Sequence, residues 1–67
     1  MREFGKRLRR IRQSRGYSID RLYLESSHLS RATISRIEKG EADPQLSTLR
    51  RIAKTLGVKL SKLIGDE

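Results

Sequence analysis

Residues 30–40, Ser-Arg-Ala-Thr-Ile-Ser-Arg-Ile-Glu-Lys-Gly, set two forked cations among small side chains at helical spacing. Ile34 and Ile37 lie three apart and share one face, which points inward. Arg31, Ala32, Ser35 and Arg36 fall on the opposite face. An Arg fork can bond guanine O6 and N7 together, a Ser hydroxyl can bond any base edge, and an Ala methyl either touches a thymine methyl or simply permits close approach. The outer face is therefore small, polar and donor-rich enough to enter a groove of DNA. Which Arg reads a base and which holds a phosphate is open at this level. Ser30 is placed to cap the start of this helix, and Gly40 to end it in a left-handed turn.

Other chemistries find little support. His28 is the only histidine and there is no cysteine, so no metal site is expected. Serines are common, but none is spaced to be activated by His28. The glycines form no phosphate-cradling loop. The residue types thus argue against an enzyme and against any cofactor.

The chain has 67 residues and is read as one domain spanning 1–67. At this size only about 60% of the unfolded surface is buried on folding. With no disulfides, and with one Phe and two Tyr, compact helical packing of Leu and Ile is the route to stability. Sixteen basic residues oppose eight acidic ones, giving a net charge of +8. That balance attracts polyanions through charge neutralisation and counterion release. It does not by itself separate DNA from RNA or an anionic membrane. The Met-Arg-Glu-Phe-Gly-Lys-Arg start precedes no apolar run, which suggests no signal peptide and a cytoplasmic protein.

No strand-like alternation persists, and Gly16, Gly40, Pro44, Gly57 and Gly65 punctuate a series of short helical patterns. A first helix is predicted from about Arg2 to Arg15, with Phe4, Leu8 and Ile11 on its inner stripe and Arg15 next in the same four-then-three spacing. Seven of its residues are basic, a stripe expected to give long-range attraction with few direct contacts. A second helix follows from Ser18, its cap, to about Ser26, with Asp20 in the first turn and Ile19, Leu22 and Tyr23 on its inner edge. Tyr17 and Tyr23 are read as packing residues. Ser27, His28 and Leu29 turn the chain into the third helix, about Arg31–Lys39. A fourth runs from Leu46 or Ser47 to Leu56 with Leu49, Ile52, Ala53 and Leu56 inward. A last turn over 60–64 closes the core with Leu60, Leu63 and Ile64. The result is an all-α, compact five-helix bundle with a helix-turn-helix at about 18–39.

In this order and spacing, the segments LRRIRQSRGYS, Leu22, SRATISRIEKG, Pro44 and TLRRIAKTLGVKLSKLI resemble the Cro/C1-type helix-turn-helix family of phage repressors and small bacterial regulators, a lambda repressor-like DNA-binding domain. The resemblance covers about Phe4 to Ile64. It implies that Arg31, Ala32 and Arg36 face bases with Ser35 close by. It also implies that Ser18, Ile19, Ser30, Lys39 and Gly40 lie near phosphates. It further implies a pair between Arg12 and Glu38. Their positions support this: each sits at the edge of its helix's buried stripe, and a partly buried carboxylate needs a partner that a forked guanidinium supplies.

Three departures from the family pattern stand out. Ile19 replaces a Gln that bonds phosphate, leaving that role to backbone N–H groups and the Ser18 hydroxyl. Tyr23 replaces an Ala, and the interval from Leu22 to Ile34 is one residue longer. That residue either sits in the 26–29 turn or shifts the angle between the helices. Glu41 and Asp43 follow the third helix, where carboxylates would repel a phosphate backbone or bend away from it.

The functional expectation is major-groove binding of double-stranded DNA by a transcriptional regulator, of the repressor kind. Two copies would meet a roughly palindromic operator, as a homodimer at least on DNA. The rivals are a protein-interaction module on the same fold, such as an antitoxin or a transcription-complex adaptor, and a basic surface for acidic membranes. The net charge and the Arg-bearing outer face favour DNA.

Overall fold

A computed structural model of the chain describes residues 2–26 and 29–65, without the side chain of Arg2. Phe4, Leu8 and Ile11 recur at four and three residues and turn one face of α1 (Arg2–Ser14) inward. The helix ends one residue earlier than its sequence suggests. Gly16 adopts a φ of 76°, its N–H donates to the Gln13 carbonyl, and the Tyr17 N–H donates to the Arg12 carbonyl. This Schellman closure satisfies carbonyls that the helix leaves open.

The Ser18 hydroxyl accepts from the Arg21 N–H at 3.0 Å and starts α2 (Ile19–Glu25). Its single fully buried residue is Leu22, while Ile19 and Tyr23 are half-buried against the core. Ser26 leaves the helix in an extended conformation, and its buried hydroxyl donates to Thr55 Oγ1 at 3.0 Å. Next come α3 (Arg31–Glu38), α4 (Leu46–Leu56) and α5 (Leu60–Ile64). Among the described residues there is no strand.

Helix α1 packs on α3 and α5, α2 packs on α3 and α4, and α4 packs on α5. Leu8, Leu22, Ile34, Ile37, Ile52, Leu56 and Leu63 meet in the middle and are all but sealed from water. Ile64 does not join them. It is 43% exposed, because it lies about 100° round α5 from Leu63, the side chain that this helix buries.

The arginines of α1 and of the turn that ends it do more than attract charge. Arg15 is exposed and absent from the inner stripe; its Nε donates to the Leu56 carbonyl at 2.9 Å, at the C-terminal end of α4. The Arg7 guanidinium lies over Gly65, where an added Cβ would come within 2.6 Å of Cζ, at the C-terminal end of α5. A cation at a helix C-terminus complements the helix dipole. Tyr17 ties α2 to α4: its hydroxyl lies 3.0 Å from Glu25 Oε1 and 3.1 Å from the Thr55 carbonyl. The Arg21 guanidinium covers its ring at 4.0 Å. Hydrogen bonds from Arg21 and then from Tyr17 hold the exposed Glu25 carboxyl below its ordinary pKa. Among the described residues no helix is long and apolar enough to cross a membrane.

Candidate nucleic-acid interface

Ser30 breaks into α3 with an extended backbone, and its Oγ accepts from the Thr33 N–H at 3.1 Å. Ile34 and Ile37 then seat the helix in the core. Ser30→Ala is expected to cost about 1 kcal/mol by removing the cap. A urea titration reads this as a lower midpoint with an unchanged slope.

The far end closes as tidily. Gly40, at a φ of 77°, donates to the Ile37 carbonyl at 3.1 Å, and the Glu41 N–H donates to the Arg36 carbonyl at 2.8 Å. A residue with a Cβ would be strained in this left-handed position. The turn leaves Lys39 exposed at the corner. Glu41 and Asp43 are exposed just beyond it.

Between these ends, Arg31, Ala32 and Arg36 are exposed on the outer face of α3. Ser35 is half-buried. It lines a recess with Arg9, Arg12, Ile19, Glu38 and Lys39, where α1, the start of α2 and the end of α3 converge. Arg31, Ala32 and Arg36 are thus the exposed members of this set, and Ser35 is set back in the recess. Ser18 and Ser30 are exposed and Ile19 is half-buried. His28 lies outside the described residues, as does part of the turn expected to absorb the extra residue. Ser26 and Leu29 flank it, one buried and one half-buried. Among the described residues no cluster of His, Cys, Asp or Glu could hold a metal ion.

The recess has a rigid wall. Arg12 Nε donates to Glu38 Oε2 at 2.7 Å and Arg12 Nη2 donates to Glu38 Oε1 at 3.1 Å, a two-pronged ion pair. The third prong, Nη1, donates to the Tyr17 carbonyl at 2.8 Å. Both side chains are less than a tenth exposed. The pair locks α1 to the last turn of α3 and fixes the loop that leads into α2.

Two features of this surface carry no clear mark in the sequence. Arg31 is ion-paired with Asp20, in the first turn of α2. Gly5 backs directly on the end of α3, where an added Cβ would lie 2.5 Å from the carbonyl oxygens of both Ile37 and Glu38. An isolated Gly inside a helical pattern is the one signal that could have pointed to the second.

Two helices joined by a short turn, with the second exposing its outer face, define a helix-turn-helix fold. The helix-turn-helix family model matches residues 8–63, and the chain belongs to that family. It is 36% identical over 63 residues to the immunity repressor protein of Bacillus phage phi105, an alignment covering 94% of this chain and 43% of that protein. It is 40% identical over 62 residues to the HTH-type transcriptional regulator PuuR of Escherichia coli, covering 92% of this chain and 33% of that one. The chain therefore spans less than half the length of these two relatives. The structure resembles that of the restriction-modification controller protein C.AhdI from Aeromonas hydrophila, with a TM-score of 0.88, 29% identity and 92% of each chain covered.

Proposed function

We propose that this chain binds double-stranded DNA sequence-specifically through the major groove and regulates transcription, as a repressor. The observation that carries this reading is the outer face of α3. Arg31, Ala32 and Arg36 stand exposed there on a helix whose other face is pinned by Ile34 and Ile37. Ser35, half-buried in the recess, is the fourth candidate for a base contact. Ser18, the Ile19 backbone, Ser30, Lys39 and Gly40 are the candidates for phosphate contacts. The names of the relatives, a repressor, a transcriptional regulator and a restriction-modification controller, support the same role. A homodimer on a roughly palindromic operator, with half-sites about one helical turn apart, fits a helix-turn-helix of this kind. A cytoplasmic location suits this role.

Selection from random duplexes is expected to enrich a two-fold symmetric sequence. On that site, Arg31→Ala should relax preference at one base position per half-site, by about 1–3 kcal/mol. Lys39→Ala should weaken selected and random duplexes alike, and reduce the slope of affinity against salt by about one. Fluorescence anisotropy over a salt series measures both. A selection that returns no enriched sequence overturns base readout. One stoichiometric protein partner, retained after nuclease treatment, would assign the chain to the interaction modules instead.

A further inference from the structure

A carboxylate beside a DNA-facing arginine needs a reason. Phosphates repel it, and the chain as a whole carries a net charge of +8. Asp20 nevertheless pairs with Arg31, in contact with Nη2. Both side chains remain mostly in water, 55% and 64% exposed respectively, so the pair adds little to stability. Its consequence is geometric.

Arg31 is the first residue of α3, a position where a cation gains nothing from the helix dipole and its long stem is free to swing. The backbone that carries Asp20 is anchored. The Ser18 cap fixes the turn that carries it, and Leu22, two residues on, is sealed in the core next to α3. A guanidinium offers five N–H donors in one plane, so a carboxylate can occupy part of the fork while the rest stays open. We propose that Asp20 is a positioning residue. It holds the Arg31 guanidinium in one orientation before DNA arrives, so that the open edge of the fork meets a purine edge with two acceptors, a guanine, and discriminates against bases that lack them. This rests on the reading of Arg31 as a base contact.

The test uses the whole chain and the selected duplex, with single-base variants at the position that Arg31→Ala relaxes. Asp20→Asn should lower discrimination at that position by about threefold to tenfold. It should at the same time bind random duplex slightly more tightly, because one repelled charge is gone. In the Arg31→Ala background, Asp20→Asn should change discrimination no further. Asp20→Ser, which also suits a first helical turn, should repeat the result, with thermal melts confirming that each variant is folded. Full discrimination in Asp20→Asn, or the same change with and without Arg31, overturns the proposal and leaves Asp20 a helix-dipole residue. If Arg31→Ala itself relaxes no position, the base-contact reading fails first, and the positioning role falls with it.

Discussion

Glu38→Ala lowers the stability of the fold by about 3–5 kcal/mol. A domain of this size has about 3–10 kcal/mol in total, so the loss takes about a third of it or more and lowers the melting temperature by about 12–40 °C. The magnitude follows from what remains, not from what is removed. Arg12 is less than a tenth exposed, and two of its three donating nitrogens point at the Glu38 carboxylate. Without Glu38 the guanidinium stays in place, held by the Tyr17 carbonyl, charged and cut off from water. Arg12→Ala strands the carboxylate instead, and frees the Tyr17 carbonyl as well. It is expected to be at least as damaging. Replacing both residues together, Arg12→Met with Glu38→Leu, removes both charges and fills much the same volume. The double variant should then be more stable than either single one. Urea titrations of the four proteins check this. Single and double variants that fall on one additive line would mean that the pair is solvated and makes no difference to the fold.

The ion pair, and the helices it joins, were largely open to reading from the residues. The four-and-three spacing of Phe4, Leu8 and Ile11 can serve only a helix with one buried face, and the left-handed preference of glycine marks Gly16, Gly40 and Gly57 as stops. The family resemblance implies the match of Arg12 with Glu38, and the place of each at the margin of an apolar stripe agrees with it. Other contacts depend on how separate helices are docked, which no local pattern encodes. Arg15 falls on the stripe by spacing, yet its guanidinium reaches the end of α4, an element 41 residues away by hydrogen bond. Ile64 has the right type, but the docking of α5 turns its neighbour Leu63 to the core and leaves Ile64 about 100° away from it. Asp20 reads as a helix-dipole residue in the sequence, and only the docking of α2 on α3 brings it to Arg31. The outer face of α3 is the converse case. Its residues were picked out by type and period, and the exposure of Arg31, Ala32 and Arg36 follows once Ile34 and Ile37 are buried.

Gly5→Ala tests the docking itself, because helix propensity and packing demand opposite signs. On an exposed helix the change would stabilise by about 0.5–1 kcal/mol, since Ala loses less backbone freedom than Gly. Here the added methyl would lie 2.5 Å from the Ile37 and Glu38 carbonyl oxygens and 2.8 Å from the Glu38 carbonyl carbon. These are backbone atoms, with no rotamer to escape into. Relief requires α1 and α3 to separate by about 1 Å, and an overpacked core loses about 1–3 kcal/mol for such a shift. The separation also pulls Arg12 from Glu38, whose 2.7 Å contact spans the same two helices. Gly5→Ala is therefore expected to destabilise by more than about 2 kcal/mol. In the background where Met and Leu replace the Arg12–Glu38 pair it should keep the cost of the backbone clash, about 1–3 kcal/mol, and lose only the part that came from the strained ion pair. Thermal and urea melts of the variant in both backgrounds decide the matter. A melting temperature above that of the parent would mean that α1 does not approach α3 at Gly5. The wall that orients the outer face of α3 would then have to be built elsewhere.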